Sequence, residues 1–263
     1  MIPALIAVGI IGLLYGLFFL ENRRFAVRHD TIRHKKIKTP FRIVQVSDLH
    51  DRTFGKEQCR LLQAIRDAKP DMIVITGDLF NRHRERACKN ALLFAEKAVR
   101  IAPTYFAEGN HECSLKRTGK RYLEAVSRAG VRVLRNAYAD LPQCRLIGLK
   151  QFATPKQLDR LTDCDRFNLV LAHRPELFPG YAHTKADAVL SGHAHGGQIR
   201  LFKKGIYAPG QGFLPRYTEG LYRIGDTVLY VSRGLGNTIF APRVFNTPEL
   251  CVLDFQPGAE EQK

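Results

Sequence analysis

Asp48-Leu49-His50, Gly77-Asp78, Gly109-Asn110-His111-Glu112, His173 and Gly192-His193-Ala194-His195 put carboxylate, amide and imidazole groups where apolar, strand-like runs give way to loops. These oxygen and nitrogen donors suit divalent metal ions, and they arrive in order from successive strand ends. Asp48 and His50 stand two apart, so on an extended strand end both side chains point to one side and reach one ion together. His193 and His195 share that spacing. A carboxylate has two oxygens, so Asp78 is able to bridge a pair of cations, and Gly77 lets the backbone come close with no Cβ in the way. Asn110 offers a neutral carbonyl oxygen and His173 a further imidazole. Two divalent ions bring roughly +4 against −2 from Asp48 and Asp78; such a centre attracts a phosphate, acidifies bound water and clamps attacking and leaving oxygens. Five of the nine histidines fall at these strand ends, which chance placement explains poorly. His29 and His34 belong to a basic stretch, and His83 and His183 read as solvated.

The elements that must position these groups alternate. Residues 41–47 read as a strand delivering Asp48, residues 56–68 as a helix, and residues 71–78 as a near-continuous apolar strand of the kind buried on both faces. Helical stretches at about 86–100 and 115–128, with strands at 104–107, near 131–135, at 145–149, 168–172 and 186–190, continue the β-α-β pattern. The C-terminal third reads as strands and hairpins (198–202, 222–224, 227–232, 250–255), with a turn at Gly225-Asp226.

The chain has 263 residues and a formal net charge of +16. Residues 2–20 form an uncharged apolar run, about 28 Å long as a helix, enough to cross a bilayer core. No Lys or Arg precedes the run, and Glu21-Asn22-Arg23-Arg24 follows where a small-residue cleavage site would sit, so an uncleaved transmembrane anchor over residues 1–20 is expected. Residues 21–40 carry Arg23, Arg24, Arg28, Arg33, Lys35, Lys36 and Lys38 against Glu21 and Asp30, and read as a basic juxtamembrane linker. By the positive-inside rule this flank stays in the cytoplasm, which puts a catalytic domain over residues 41–263 on the cytoplasmic side of the plasma membrane. The six cysteines show no Cys-x-x-Cys pairing and agree with free thiols in a reducing compartment. No helix-turn-helix, zinc-finger or RNP-like aromatic pattern occurs, so the positive charge points to an anionic membrane or substrate before nucleic acid. The segments Leu201-Phe202-Lys203-Lys204-Gly205-Ile206-Tyr207 and Gly212-Phe213-Leu214-Pro215-Arg216 mix apolar and cationic residues close to His195. They are expected either as an interfacial surface or as the cores of hairpins.

The series Asp-x-His, Gly-Asp, Gly-Asn-His-(Asp/Glu), His, Gly-His-x-His resembles that of the calcineurin-like metallophosphoesterases over about residues 41–255. The resemblance implies an α/β fold, a four-layer α/β/β/α sandwich, here preceded by one transmembrane helix. It implies a first divalent ion on Asp48, His50, Asp78 and His195, a second on Asp78, Asn110, His173 and His193, and His111 as a catalytic acid or charge stabiliser outside the ligand set. Manganese, iron and zinc all suit these donors. Glu112 stands where Asp is commoner in the family, and Asp51 where a small or apolar residue is frequent. Residues 196–200, 207–212 and 232–236 are similar to the membrane-anchored bacterial branch, often likened to phosphodiesterases and to hydrolases of UDP-2,3-diacylglucosamine. The expected activity is therefore hydrolysis of a phosphodiester or pyrophosphate bond, with a lipid-linked substrate as one form. A nuclease or nucleotide phosphodiesterase, and a catalytically silent membrane-bound module, remain as alternatives.

Overall fold

The computed structural model describes residues 16, 23–81, 88–237 and 243–258. The expected anchor, Gly16 apart, lies outside the described residues, as does His83; among the described residues no helix is long and apolar enough to cross a membrane. The chain lays down β1 (Ala26–His34), β2 (Phe41–Val46), β3 (Met72–Ile75), β4 (Thr104–Ala107) and β5 (Arg132–Leu134). There follow β6 (Ala137–Asp140), β7 (Arg145–Gly148), β8 (Asn168–Leu171) and β9 (Ala188–Ser191). Two short hairpins come next, β10 (Arg200–Leu201) with β11 (Lys204–Gly205) and β12 (Tyr207–Ala208) with β13 (Gly212–Phe213). The chain closes with β14 (Gly220–Ile224), β15 (Thr227–Val231) and β16 (Glu249–Pro257). One six-stranded sheet has the order β1-β16-β2-β3-β4-β5, the other β14-β15-β9-β8-β7-β6.

Side chains alternate across each strand, and that period of two sorts the apolar residues into three cores. Val44, Val46, Ile73 and Ile75 pack on Leu61, Leu62 and Ile65 of the helix Cys59–Ala68 and on Phe94 of the helix Lys89–Ala98. Their neighbours Ile43, Met72 and Val74 face the other way, against Leu169, Leu171 and Leu190 of the second sheet. On the far side of that sheet Val170 and Val189 meet Leu158, Phe178 and Tyr181. Three apolar layers thus separate four layers of structure, helix, sheet, sheet and helix, as expected.

Most expected elements are present, including the two-residue turn at Gly225-Asp226, where Ile224 pairs with Thr227. The reading of residues 21–40 as a linker fails over β1, which pairs in parallel with β16 along its whole length. Only Ile32 and His34 of this strand are buried, so its basic, alternating sequence looks like a tether; charged residues are what an edge strand needs to discourage further pairing. All six cysteines are free.

Candidate metal centre

The central strands of both sheets run parallel and end at one place. β2, β3 and β4 deliver Asp48 and His50, Asp78, and Asn110 and His111; β8 and β9 of the facing sheet deliver His173, His193 and His195. All these residues but Asn110 are buried, and Asn110 is partly so.

The strand ends are not extended. Asp48, His50, Asp78, His193 and His195 all have positive φ, between 47° and 65°. The pointing of alternate side chains to one side of a strand is therefore not what unites them. His193 and His195 instead diverge: His195 joins Asp48 and His50, while His193 joins Asp78 and His173. The loops are pinned by backbone bonds between neighbours, from Asp48 N–H to Gly77 C=O (3.1 Å) and from His50 N–H to Asp78 C=O (3.0 Å). Gly77 is required at φ +93°, where an added Cβ would lie 2.6 Å from His173 Nδ1.

Asp78 lies at the meeting point. Its Oδ1 accepts the His111 N–H (2.8 Å), which leaves Oδ2 facing His173 Nε2 at 3.3 Å, His111 Nε2 at 3.8 Å and His50 Nε2 at 3.9 Å. Asp48 Oδ1 is 3.6 Å from His195 Nε2, His50 and His195 approach at 3.4 Å, and His173 Nε2 is 3.1 Å from Asn110 Oδ1. With metal–ligand bonds of about 2.1 Å, ligand atoms on one ion stand roughly 3.0–3.4 Å apart, a range that holds the His173–Asp78, His50–His195 and His173–Asn110 spacings. His173 Nδ1 bonds the Thr76 carbonyl (2.7 Å), which as donor leaves Nε2 with its lone pair turned to the centre.

The electrostatics also call for cations. Burial lowers His50 and His193 to about 3 and holds His195 well below its usual value, so these imidazoles are neutral and able to ligate. Burial lifts Asp48 to about 6, with the Asp78 charge adding to the lift. Burial likewise works to raise Asp78, but His173, by its charge and its hydrogen bond, outweighs it and holds the carboxyl well below the usual range. His173 is the counterpart: burial lowers it, yet Asp78 and Asp48 draw it up to about 10. Of the imidazoles around the two buried carboxylates, His50, His193 and His195 are neutral, and the proton that the carboxylates hold on His173 marks the positive charge that the site calls for; the residues present fit two divalent ions.

Several supporting residues escaped the sequence reading. Glu112 accepts three backbone N–H bonds, from Gly109 (2.7 Å) and Asp78 (2.9 Å) on one oxygen and from Phe80 (3.1 Å) on the other, and so ties the β3 and β4 loops together. Arg243 is fully buried; its guanidinium donates to the Arg233 and Gly236 carbonyls and to Asn237, and lies 3.3 Å from His195 Nδ1. Ser47 donates to Asp48 Oδ2 at 2.6 Å. Of these only Glu112 carried a signal, by its place after Gly-Asn-His. The motif at 232–236 also finds its reason, since Gly236 N–H bonds the Asp48 carbonyl and Gly234 backs directly onto the Asp48 side chain. Asp51 takes no part in the cluster and accepts the Ala91 N–H at 2.8 Å.

The sequence profile of the calcineurin-like phosphoesterases matches residues 41–197. YkuE of Bacillus subtilis strain 168, described as an uncharacterised metallophosphoesterase, is 32% identical over 254 residues, covering 89% of this chain and 86% of its own. The phosphodiesterase YaeI of Escherichia coli K12 is 29% identical over 248 residues, with 87% of each chain covered. Among solved structures, the sulfate thiohydrolase SoxB of Thermus thermophilus superposes with a TM-score of 0.53 at 13% identity over 81% of this chain and 53% of that one. A 5′-nucleotidase precursor from Thermus thermophilus gives 0.51 at 13% identity, over 75% and 50%. These last two share the fold, while their names differ in chemistry, so the ligand series and the closer relatives carry the assignment: the chain belongs to the calcineurin-like phosphoesterase family and is a metal-dependent hydrolase of phosphoric esters.

Proposed function

We propose that the protein is a membrane-anchored phosphodiesterase that hydrolyses a phosphodiester or pyrophosphate bond of a lipid-linked substrate at a dinuclear centre. The observation that carries the dinuclear reading is Asp78, whose Oδ2 is shared between the cluster around His50 and the cluster around His173. In this reading Asp48, His50, Asp78 and His195 hold one ion, and Asp78, Asn110, His173 and His193 hold the other. Bound there, two divalent ions supply Lewis acidity toward the phosphoryl oxygens and an acidified water as nucleophile.

The chain's own groups do the rest. Asn110 and the ligand imidazoles bring no negative charge, so with two divalent ions bound the site would keep the positive charge that binds a phosphate. His111, surplus to a full ligand set and with Nε2 3.8 Å from Asp78 Oδ2, stands beside the centre where it would donate a proton to the departing oxygen. Glu112 fixes the backbone of Asp78 and Gly109, so the groups on both strand ends keep their spacing through turnover.

The diester preference is supported by the name of YaeI, and the membrane reading by the apolar run of residues 2–20 and the basic residues after it. The anchor would set the domain on the cytoplasmic face of the plasma membrane. The test is to assay the full-length protein with added manganese against a monoester, a diester, a nucleotide-linked lipid and single-stranded DNA. Preference for the lipid-linked substrate is expected. Preference for DNA would favour a nuclease, and absence of turnover on all four a silent binding module.

A further inference from the structure

The hairpins that follow His195 carry their largest apolar side chains outward. Phe202 is 99% exposed, Phe213 80% and Leu214 76%, although ordinary hairpin packing would bury them. Phe202, Lys203 and Leu214 have positive φ, a conformation that bulky L-residues adopt at a cost and keep where the surroundings impose it. Lys203, Lys204 and Arg216 are exposed among them.

These residues form one surface. A cleft of about 470 Å³ beside Phe202 and Phe245 and another of about 560 Å³ beside Leu214 and Arg216 share Arg200, Lys203 and Glu219. The surface is also continuous with the metal centre, because Arg200 donates to the Gly196 carbonyl (2.7 Å) and Asn246, next to Phe245, donates to the His195 carbonyl (2.7 Å). It lies where the N-terminal segment enters the fold. Arg28, near the start of β1, reaches Glu219 at 3.6 Å and covers Gly220. The start of β1, which follows the apolar run of residues 2–20 in sequence, therefore stands at the same corner.

We propose that the tips of the β10–β11 and β12–β13 hairpins dock on an anionic lipid bilayer, with Phe202, Phe213 and Leu214 entering the interface and Lys203, Lys204 and Arg216 meeting its phosphates. The inference rests on the membrane-anchored reading above and adds to it a defined face, which turns the metal centre toward substrate held in the membrane. The mixture of large apolar and cationic side chains matches the interfacial region of such a bilayer, where apolar burial and attraction to acidic headgroups act together.

The chain contains no tryptophan, so Phe202→Trp introduces a single reporter into the full-length protein. Tyr138→Trp is its control: Tyr138 is exposed on β6, at the opposite edge of the second sheet from β14. Both proteins are mixed with vesicles of phosphatidylglycerol and phosphatidylethanolamine in which part of the acyl chains are brominated. Quenching at position 202 at least about twofold that at position 138 is expected, and adding Lys203→Glu and Lys204→Glu should remove most of the excess. Equal quenching at the two positions overturns the proposal. A signal that follows protein concentration and ignores bromolipid overturns it in favour of a second copy of the chain. Hydrolysis of bis(p-nitrophenyl) phosphate with manganese, read in the same samples, separates the two readings. Turnover without excess quenching refutes the docking face alone, and excess quenching supports the face whether or not this diester is turned over.

Discussion

Gly77→Ala tests whether the approach of the two sheets is what assembles the centre. The new Cβ would lie 2.6 Å from His173 Nδ1, 2.7 Å from Gly109 Cα and 2.8 Å from Gly109 N. Ordinary contact begins near 3.4 Å, so the neighbours must open by about 0.7 Å, and neither is free to do so. His173 Nδ1 is bonded to the Thr76 carbonyl at 2.7 Å, and Gly109 N–H to Glu112 at 2.7 Å. Overpacking of this kind costs about 1–3 kcal/mol and a left-handed alanine about 1 kcal/mol more, for a total of roughly 2–4 kcal/mol. In a domain of this size that lowers the melting temperature by roughly 5–15 °C. Gly225→Ala supplies the comparison, because Gly225 also has positive φ (+56°) but nothing lies within 4 Å of its added Cβ. It should show the backbone cost alone, about 1 kcal/mol, with activity unchanged. Calorimetry of both variants, with bound manganese and diester turnover on the same samples, measures the difference. If Gly77→Ala melts where Gly225→Ala does and keeps its metal and turnover, steric closure at Gly77 is not what sets the spacing of Asp78 and His173.

Asp78→Asn should remove most bound metal and at least about a hundredfold of activity, and two ions per chain with near-normal turnover would refute the bridging role. His111→Ala should keep both ions while kcat falls by roughly 10²–10⁴, whereas loss of one ion on metal analysis would make His111 a ligand. Glu112→Gln offers one acceptor oxygen to three N–H donors, so manganese affinity should weaken by roughly 10–100-fold while the far-ultraviolet spectrum is kept; unchanged affinity would refute the positioning role. In intact cells a protease added outside should leave the catalytic domain uncut, and cleavage within residues 41–263 would reverse the proposed orientation.

The donors were legible because metal chemistry restricts residue type and because each follows a short, strand-like apolar run. Asp48, Asp78 and His173 could be placed at strand ends from that pattern alone. The pairing of donors was not legible, since it depends on backbone turns: with φ of 65° and 47°, His193 and His195 go to different clusters despite their i, i+2 spacing. Arg243 was hidden for a related reason, as its role comes from contacts with Arg233, Gly236 and His195 that no local pattern encodes.

The strand β1 shows the same division at the level of the fold. Its residues carry the charges of a tether because one face and one edge meet solvent, and its membership in the sheet lies in backbone bonds to β16, more than two hundred residues later in the chain. That pairing has a mechanical consequence. On the proposed anchored reading, a long unpaired linker would let the domain tumble, whereas β1 is paired with β16 from Ala26, close in sequence to the end of the apolar run at residue 20. If the apolar run is an anchor as proposed, the bilayer would be restricted to the faces near the start of β1, and Arg28 beside Glu219 and Gly220 puts the exposed hairpins on one of them. On that reading, the register of an edge strand that reads as linker would link the proposed anchor to the orientation of the metal centre.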